Sequence, residues 1–153
     1  MAKDIYEVLH KEHKEARKIL DKLTSTDEED VKKRREKCHT VAIELITHHE
    51  AESKCFYKRL EQYDELKGHI AEHQQEHEEA NAELKQWMQV DPSSPEWMNM
   101  LQKIKKAVDH HIEDEENELF PRVKELLSED QAKEIADEFQ AEQDSRKEHM
   151  KAA

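Results

Sequence analysis

The sequence predicts an all-α protein, an up-down-up-down antiparallel four-helix bundle with an extra helix at the C-terminus. Residues that favour helices, chiefly Glu, Lys, Ala, Gln and Leu, dominate the 153 positions, and Gly68 is the single glycine. Apolar residues recur at steps of three and four in four long segments, which is the spacing of one helix face. Short connections between these segments favour antiparallel neighbours.

The first predicted helix runs from Asp4 to Leu23 and carries one histidine, His13, in its apolar stripe. The stripe is Tyr6, Leu9, His13, Ala16, Leu20 and Leu23. This alternation of steps is typical of a bundle seam.

The second predicted helix runs from about residue 27 to residue 62, and Thr26 with Glu29 matches a capping box at its start. His48 and Glu52 occupy stripe positions where apolar residues are expected. A buried carboxylate without a partner is strongly unfavourable, so Glu52 requires neutralisation or a cation.

The third predicted helix covers about residues 66–90 and places two histidines, His73 and His77, at adjacent seam positions. A loop follows, and Ser94 with Pro95 predicts the start of the next helix.

The fourth predicted helix starts at Pro95, and its stripe runs into an acidic segment. That stripe is Trp97, Leu101, Ile104, Val108, His111 and Glu115. Pro121 is expected to kink or end this helix, because proline lacks the backbone N–H.

The fifth predicted helix begins at a capping box formed by residues 128–131. Its apolar content is thin, and beyond Gln140 we expect it to fray or project. We therefore predict a bundle domain over residues 1–127 and a helical appendage of the same domain over residues 128–153.

Composition limits the partners and the location. The formal net charge of −13 argues against nucleic acid and against anionic membrane surfaces. Apolar runs are too short to span a bilayer, and the N-terminus lacks the apolar core of a signal peptide. Cys38 and Cys55 lie about 25 Å apart on one predicted helix, too far to pair. We expect a cytoplasmic protein that is a monomer or a weak dimer.

Polar residues interrupt four otherwise apolar seams, and this pattern predicts a buried metal centre. They are His13, His48, Glu52, His73, His77, His111 and Glu115. Such groups buried together without metal would be destabilising. Five imidazoles and two carboxylates suit two ions, each carboxylate giving one oxygen to each ion. Nitrogen and oxygen ligands without thiolate favour iron over structural zinc, with manganese as an alternative.

The ligand count predicts an asymmetric pair of ions. The histidines divide three and two, so that with a bridging oxo or hydroxo group one ion has six ligands and the other five. The open position would take O₂, another small diatomic molecule or a peroxide.

The order of these residues resembles the hemerythrin-like, or HHE cation-binding, family over about residues 4–123. The chain shows one His, then His-x-x-x-Glu, His-x-x-x-His and His-x-x-x-Glu-Glu-x-x-Leu-Phe-Pro in successive helices. The resemblance implies a di-iron four-helix bundle that binds O₂ or related small molecules, with the seven residues above as metal ligands. True hemerythrins place the last carboxylate where this chain has Glu116, whereas HHE relatives use the position of Glu115, which lies on the stripe. His73 is less secure, because many relatives carry one histidine in this helix.

The other histidines are expected outside the site. We predict flanking or surface positions for His10, His49 and His110, with an outer hydrogen-bonding role as the alternative for His10. His39, His69 and His149 are expected in solvent. Tyr6 and Tyr57 are expected in the core or at its rim, with a role in tuning the metal site as the alternative for both. The functional hypotheses are an O₂-binding protein, an enzyme that removes peroxide or nitric oxide, and an iron-handling or iron-sensing protein.

Overall fold

The computed structural model describes residues 3–152, and this part of the chain forms five long helices without a strand. They are α1 (Ile5–Thr24), α2 (Val31–Glu52), α3 (Lys67–Trp87), α4 (Pro95–Asp114) and α5 (Glu129–Ala152). The predicted all-α class is confirmed. The up-down-up-down topology of a four-helix bundle stays a prediction.

Two of the helices continue through a π-helical turn into a further α-helical segment. α2 is followed by the π turn Ser53–Tyr57 and the segment Lys58–Leu60. α4 is followed by the π turn Glu115–Leu119 and the segment Phe120–Lys124. A short 3₁₀ turn, Asp64–Leu66, then leads from the second helix into α3. Single π turns inside α-helices are frequent at functional sites.

The starts of α1 and α5 are capped, whereas the predicted capping box of α2 is wrong. At α5, the backbone N–H of Gln131 donates to the Ser128 hydroxyl, and the Gln131 amide oxygen accepts from the Ser128 N–H, as predicted. Thr26 instead donates its hydroxyl to the Leu23 carbonyl. Its oxygen is thereby turned back towards α1, and α2 begins later, at Val31.

The helix containing Pro121 does not end at the proline, since its α-helical segment continues to Lys124. The π turn lies immediately before Pro121. The proline ring removes one N–H and crowds the carbonyl a turn earlier, so the regular α pattern is interrupted over that preceding turn.

The helices pack around two apolar clusters with polar residues between them. α1 contacts α2 and α4, and α3 contacts the same two helices. One cluster joins the ends of the helices that carry Leu9, Phe56 and Leu119, and the other contains Leu45 and Trp97. Along each of the four helices, the predicted metal-binding residues fall at the boundary between these clusters.

The fifth helix does not fray after Gln140, contrary to the prediction. It continues to Ala152 and packs against α1 and α2. Its buried apolar side chains, which include Ile135 and Phe139, belong to the first apolar cluster. Gln143, which lies beyond Gln140, is also fully buried.

Arg34 is a buried cation that the sequence pattern does not reveal. Its guanidinium donates to the Thr26 hydroxyl, to the Thr26 carbonyl and to the Pro92 carbonyl, and it lies 4.6 Å from the centre of the Trp97 ring. It thus links the loop that contains Thr26 to the loop that contains Pro92.

None of the helices within residues 3–152 combines the length and apolar character needed to cross a bilayer.

Candidate metal centre

All seven predicted ligands are buried and lie at one level of the molecule. Each is at most 7% exposed: His13, His48, Glu52, His73, His77, His111 and Glu115. The stripe spacing explains this result, since each residue replaces an apolar side chain on the inward face of its helix.

The two carboxylates lie at the centre of this group. Glu52 Oε1 is 3.5 Å from His48 Nε2 and 3.2 Å from His77 Nε2. Glu115 Oε1 is 3.2 Å from His13 Nε2, and its other oxygen is 3.6 Å from His111 Nε2. Two ligands at right angles, each about 2.1 Å from one ion, lie about 3.0 Å apart, which is close to these separations.

Four of the histidines turn Nε2 inward and hold Nδ1 on an outer polar group. The outer partners are Glu116 for His13 at 2.6 Å, Glu12 for His48 at 3.0 Å, Ser53 for His77 at 2.9 Å and Glu76 for His111 at 2.8 Å. Metal-binding histidines have this arrangement, because the outer partner fixes both the tautomer and the ring orientation.

Several inward atoms have no hydrogen-bond partner among the described residues. They are Nε2 of His13 and of His48, both oxygens of Glu52, and Oε1 of Glu115. Leaving this many buried polar atoms unpaired costs about 1–3 kcal/mol each. The donor set therefore fits bound cations, which would give these atoms the partners that they lack.

His73 is oriented differently from the other four histidines. Its Nε2 points outward to Asp114, at 2.6 Å, and its Nδ1 faces the centre, 3.9 Å from Glu115 Oε2. If His73 ligates, it does so through Nδ1.

Glu115 and Glu116 occupy different positions. Glu115 is fully buried between His13 and His111, whereas Glu116 is partly exposed and accepts hydrogen bonds from His10 and His13. The geometry places Glu115 in the centre and gives Glu116 the outer role. His10 touches the site only through Glu116.

The charges at the centre are strongly perturbed. Burial and the negative charge of Glu115 raise the pKa of Glu52 to about 7. Burial also acts to raise the pKa of Glu115, but the nearby His111 and His13 rings outweigh it and hold that pKa well below its usual range. Burial would lower the pKa of His48, yet its hydrogen bond to Glu12 and the nearby carboxylate of Glu52 raise it to about 10. Without metal, the site therefore retains protons that an arriving cation must displace.

Tyr57 lies inside the centre, as in the alternative interpretation of its position in the sequence. Its hydroxyl donates to Glu115 Oε2 and lies 3.4 Å from His73 Nδ1 and 3.5 Å from His111 Nε2. In a regular α-helix, Tyr57 and Glu52 would point about 140° apart, since they are five residues apart. The π turn between them holds an extra residue, so both face the centre.

Two other histidines are less exposed than predicted. His49 is buried, not on the surface: its Nδ1 bonds Asn81, and its ring stacks on His77 at 4.4 Å. His69 is half-buried, with Nε2 2.7 Å from Asp114. No stripe signal marks either residue, because both lie off the apolar face of their helices.

Comparisons with known proteins identify the family of this chain. A protein named DNA nickase from Nostoc sp. (strain PCC 7120 / SAG 25.82 / UTEX 2576) is 28% identical over 139 residues. That match covers 90% of this chain but 38% of the relative, so the chain spans well under half of that protein's length. No solved structure shows a significant match. The family model described as Hemerythrin HHE cation binding domain matches residues 4–123. The chain therefore belongs to the hemerythrin HHE cation-binding family.

Proposed function

We propose that the protein is a non-haem di-iron protein that binds O₂ for carriage, storage or sensing. The proposal rests on one observation above all, the convergence of unpartnered inward atoms from His13, His48, Glu52 and Glu115. The cation-binding family supports it. When bound, a pair of iron ions would supply redox chemistry and an open coordination position for a small molecule.

The proposed ligands divide into two groups around the carboxylates. His77 and His111, whose Nε2 atoms lie 3.1 Å apart, would hold one ion together with His73. His13 and His48 would hold the other ion, which would have fewer protein ligands. Glu115 has one oxygen near His13 and the other near His111, so it would contribute to both sides. Iron is proposed over manganese because of the nitrogen-rich ligand set, and manganese remains the alternative.

The protein's own residues cover and orient this site. Apolar clusters lie on both sides of the centre along the helices and cover it there. The outer partners Glu116, Glu12, Ser53 and Glu76 hold four rings with Nε2 inward. A binding protein needs no further acid–base group.

An enzyme that consumes peroxide or nitric oxide is the second candidate, and Tyr57 favours it. Such an enzyme requires a proton or hydrogen-bond donor next to the small molecule. The Tyr57 hydroxyl reaches the centre, and burial together with the charge of Glu115 raises its pKa well above the usual value, so it stays protonated. Iron sensing or handling is a third use of the same site.

Finer features of the molecule are proposed alongside the function. Contacts along α1 and α2 run in opposite order, with Thr26 beside Arg34, His13 beside His48, and Tyr6 beside Phe56, which supports the up-down arrangement. We propose that residues 128–153 belong to the same domain as residues 1–127, because they share an apolar cluster.

The unpaired buried thiols of Cys38 and Cys55 support a reducing compartment such as the cytoplasm. We propose a monomer or weak dimer.

We propose no nucleic-acid activity for this chain. The relative named DNA nickase is much longer, and its matched part covers 38% of it. A net charge of −13 repels a phosphate backbone.

The deciding experiment measures iron per chain and then follows the visible spectrum of the reduced protein while O₂ is added and removed. A reversible charge-transfer band supports O₂ binding. Irreversible oxidation with consumption of peroxide supports the enzyme, and Tyr57→Phe should then slow that consumption. Fewer than one metal ion per chain after anaerobic reconstitution contradicts both. His77→Ala provides the matched test of the site, since it should lower metal content.

A further inference from the structure

We propose that Gln143, in α5 and outside the family segment, is a positioning residue for the metal centre. It acts on His48 through Glu12. The inference rests on the proposed metal-binding function and extends it to a helix that lies beyond the matched residues 4–123.

A continuous chain of hydrogen bonds joins Gln143 to the centre. The Gln143 side-chain N–H donates to Glu12 Oε1 over 2.8 Å. The same oxygen accepts from His48 Nδ1 over 3.0 Å. His48 Nε2 then faces Glu52 Oε1 at 3.5 Å. Because Glu12 Oε1 is held from two sides, the His48 ring cannot turn without breaking one of these bonds.

Packing alone does not explain an amide at this position. Gln143 is fully buried, and its Oε1 has no hydrogen-bond partner in the described part of the chain. A buried amide oxygen left unpaired costs about 1–3 kcal/mol. An apolar side chain of similar size would avoid that cost, so the observed contribution of Gln143 is its donation to Glu12.

α5 is held in a fixed position over His48. The Phe139 ring meets the His48 ring edge-on, with centroids 5.5 Å apart. One turn beyond Gln143, the Lys147 ammonium is 2.8 Å from Glu44, and Arg146 is 3.3 Å from Glu50. These contacts fix the height of α5 along α2.

The effect of Gln143 is confined to one side of the centre. On the other side, the outer partners of His77 and His111 are Ser53 and Glu76, which lie next to α2 and on α3. No hydrogen bond or ion pair in the described residues joins α5 to either partner. Removing the Gln143 donor should therefore loosen the ion on the His13–His48 side and leave the other ion unchanged.

The test compares Gln143→Met with Gln140→Met in the iron-loaded full-length chain. Methionine matches the shape of glutamine, and Gln140 is an exposed position on the same helix. Transfer of iron to an excess of chelator is followed with time. Loss of an outer partner typically costs 10–100-fold in metal affinity, and an indirect partner should fall at the low end. We expect one of the two ions to leave Gln143→Met about tenfold faster, with the second ion and the Gln140→Met control unchanged.

Two further measurements separate positioning from a structural role. The thermal midpoint of metal-free Gln143→Met should not fall, because an unpaired buried oxygen is removed. In a Glu12→Ala background, Gln143→Met should add no further effect on release, since the two residues act in series. Faster release of both ions with a lowered midpoint, or additive effects in the double variant, overturns the inference. If the wild-type chain loads two ions and Gln143→Met releases both at the wild-type rate, this inference alone is contradicted, whereas a wild-type chain that takes up no metal contradicts the proposed function.

Discussion

Replacing Glu52 by glutamine should stabilise the metal-free protein and lower the number of metal ions that it binds. Glu52 is fully buried, and its pKa is raised to about 7 from an ordinary 4.5. A raised carboxyl pKa contributes stability that is fully present below pH 4.5 and is lost as the pH rises through 7. Glutamine resembles the protonated form at every pH, so Glu52→Gln avoids this loss.

The magnitude follows from the two pKa values. Linkage predicts that ionising Glu52 costs the metal-free fold about 1 kcal/mol at pH 5 and about 3 kcal/mol at pH 8. Urea unfolding of chelator-treated protein at both pH values measures this difference. Glu78→Gln, an exposed position on α3, is the matched control and should change neither value by more than about 0.5 kcal/mol.

Iron should reverse the order of stability. The wild-type chain gains the binding free energy of the ions, whereas Glu52→Gln lacks a carboxylate between them and should hold fewer ions per chain. The reasoning is refuted if metal-free Glu52→Gln is less stable than the wild type at pH 8, or if it loads iron with wild-type stoichiometry.

Three other predictions test the site and the fold. Glu115→Gln should lower the number of ions per chain, whereas Glu116→Gln should retain both ions with about 10–100-fold weaker binding, as measured by competition with a chelator; the opposite ranking would make Glu116 the ligand. Metal binding at pH 7 should release at least two protons and affinity should rise with pH, because nearby carboxylates outweigh burial and raise the pKa values of His48 and His111 to about 10, and Glu52, with a pKa of about 7, is about half protonated; calorimetry in buffers of different ionisation enthalpy counts these protons, and none released would contradict the assignment. Arg34→Met should lower the free energy of unfolding by about 2–3 kcal/mol in urea, because buried loop carbonyls lose their donor, with unchanged metal content.

The stripes made the central residues predictable. A histidine or glutamate at a position that should be apolar is visible in sequence, because burial of the neighbouring stripe residues is implied by their spacing. His13, His77 and Glu115 were found in this way, and the structure buries all three. Helix ends were less predictable, as at Thr26, where a local hydroxyl bond to the chain behind it competes with capping.

Residues that depend on tertiary contacts were not predictable. α2 is surrounded by α1, α3 and α5, so it is buried on more than one face, and His49 is covered although it lies off the stripe. Tyr57 reaches the centre only because a π turn changes the direction of its side chain. Gln143 is polar in sequence, and nothing in its spacing marks it as buried.

The two π turns determine how the side chains of their helices would respond to the loss of a residue. Each one adds a residue to its helix at the level of a central carboxylate, directly after Glu52 and starting at Glu115. In α2 and α4, the inward stripes on the two sides of the centre are therefore out of phase with each other. Deleting one residue from the turn Ser53–Tyr57 would restore regular α geometry and keep every later side chain of that helix in its present direction, whereas regular α geometry at unchanged length would rotate them all by about 100°. Glu52 and Glu115 thus separate two apolar clusters, and in α2 and α4 the stripe that faces one cluster is offset by one residue from the stripe that faces the other.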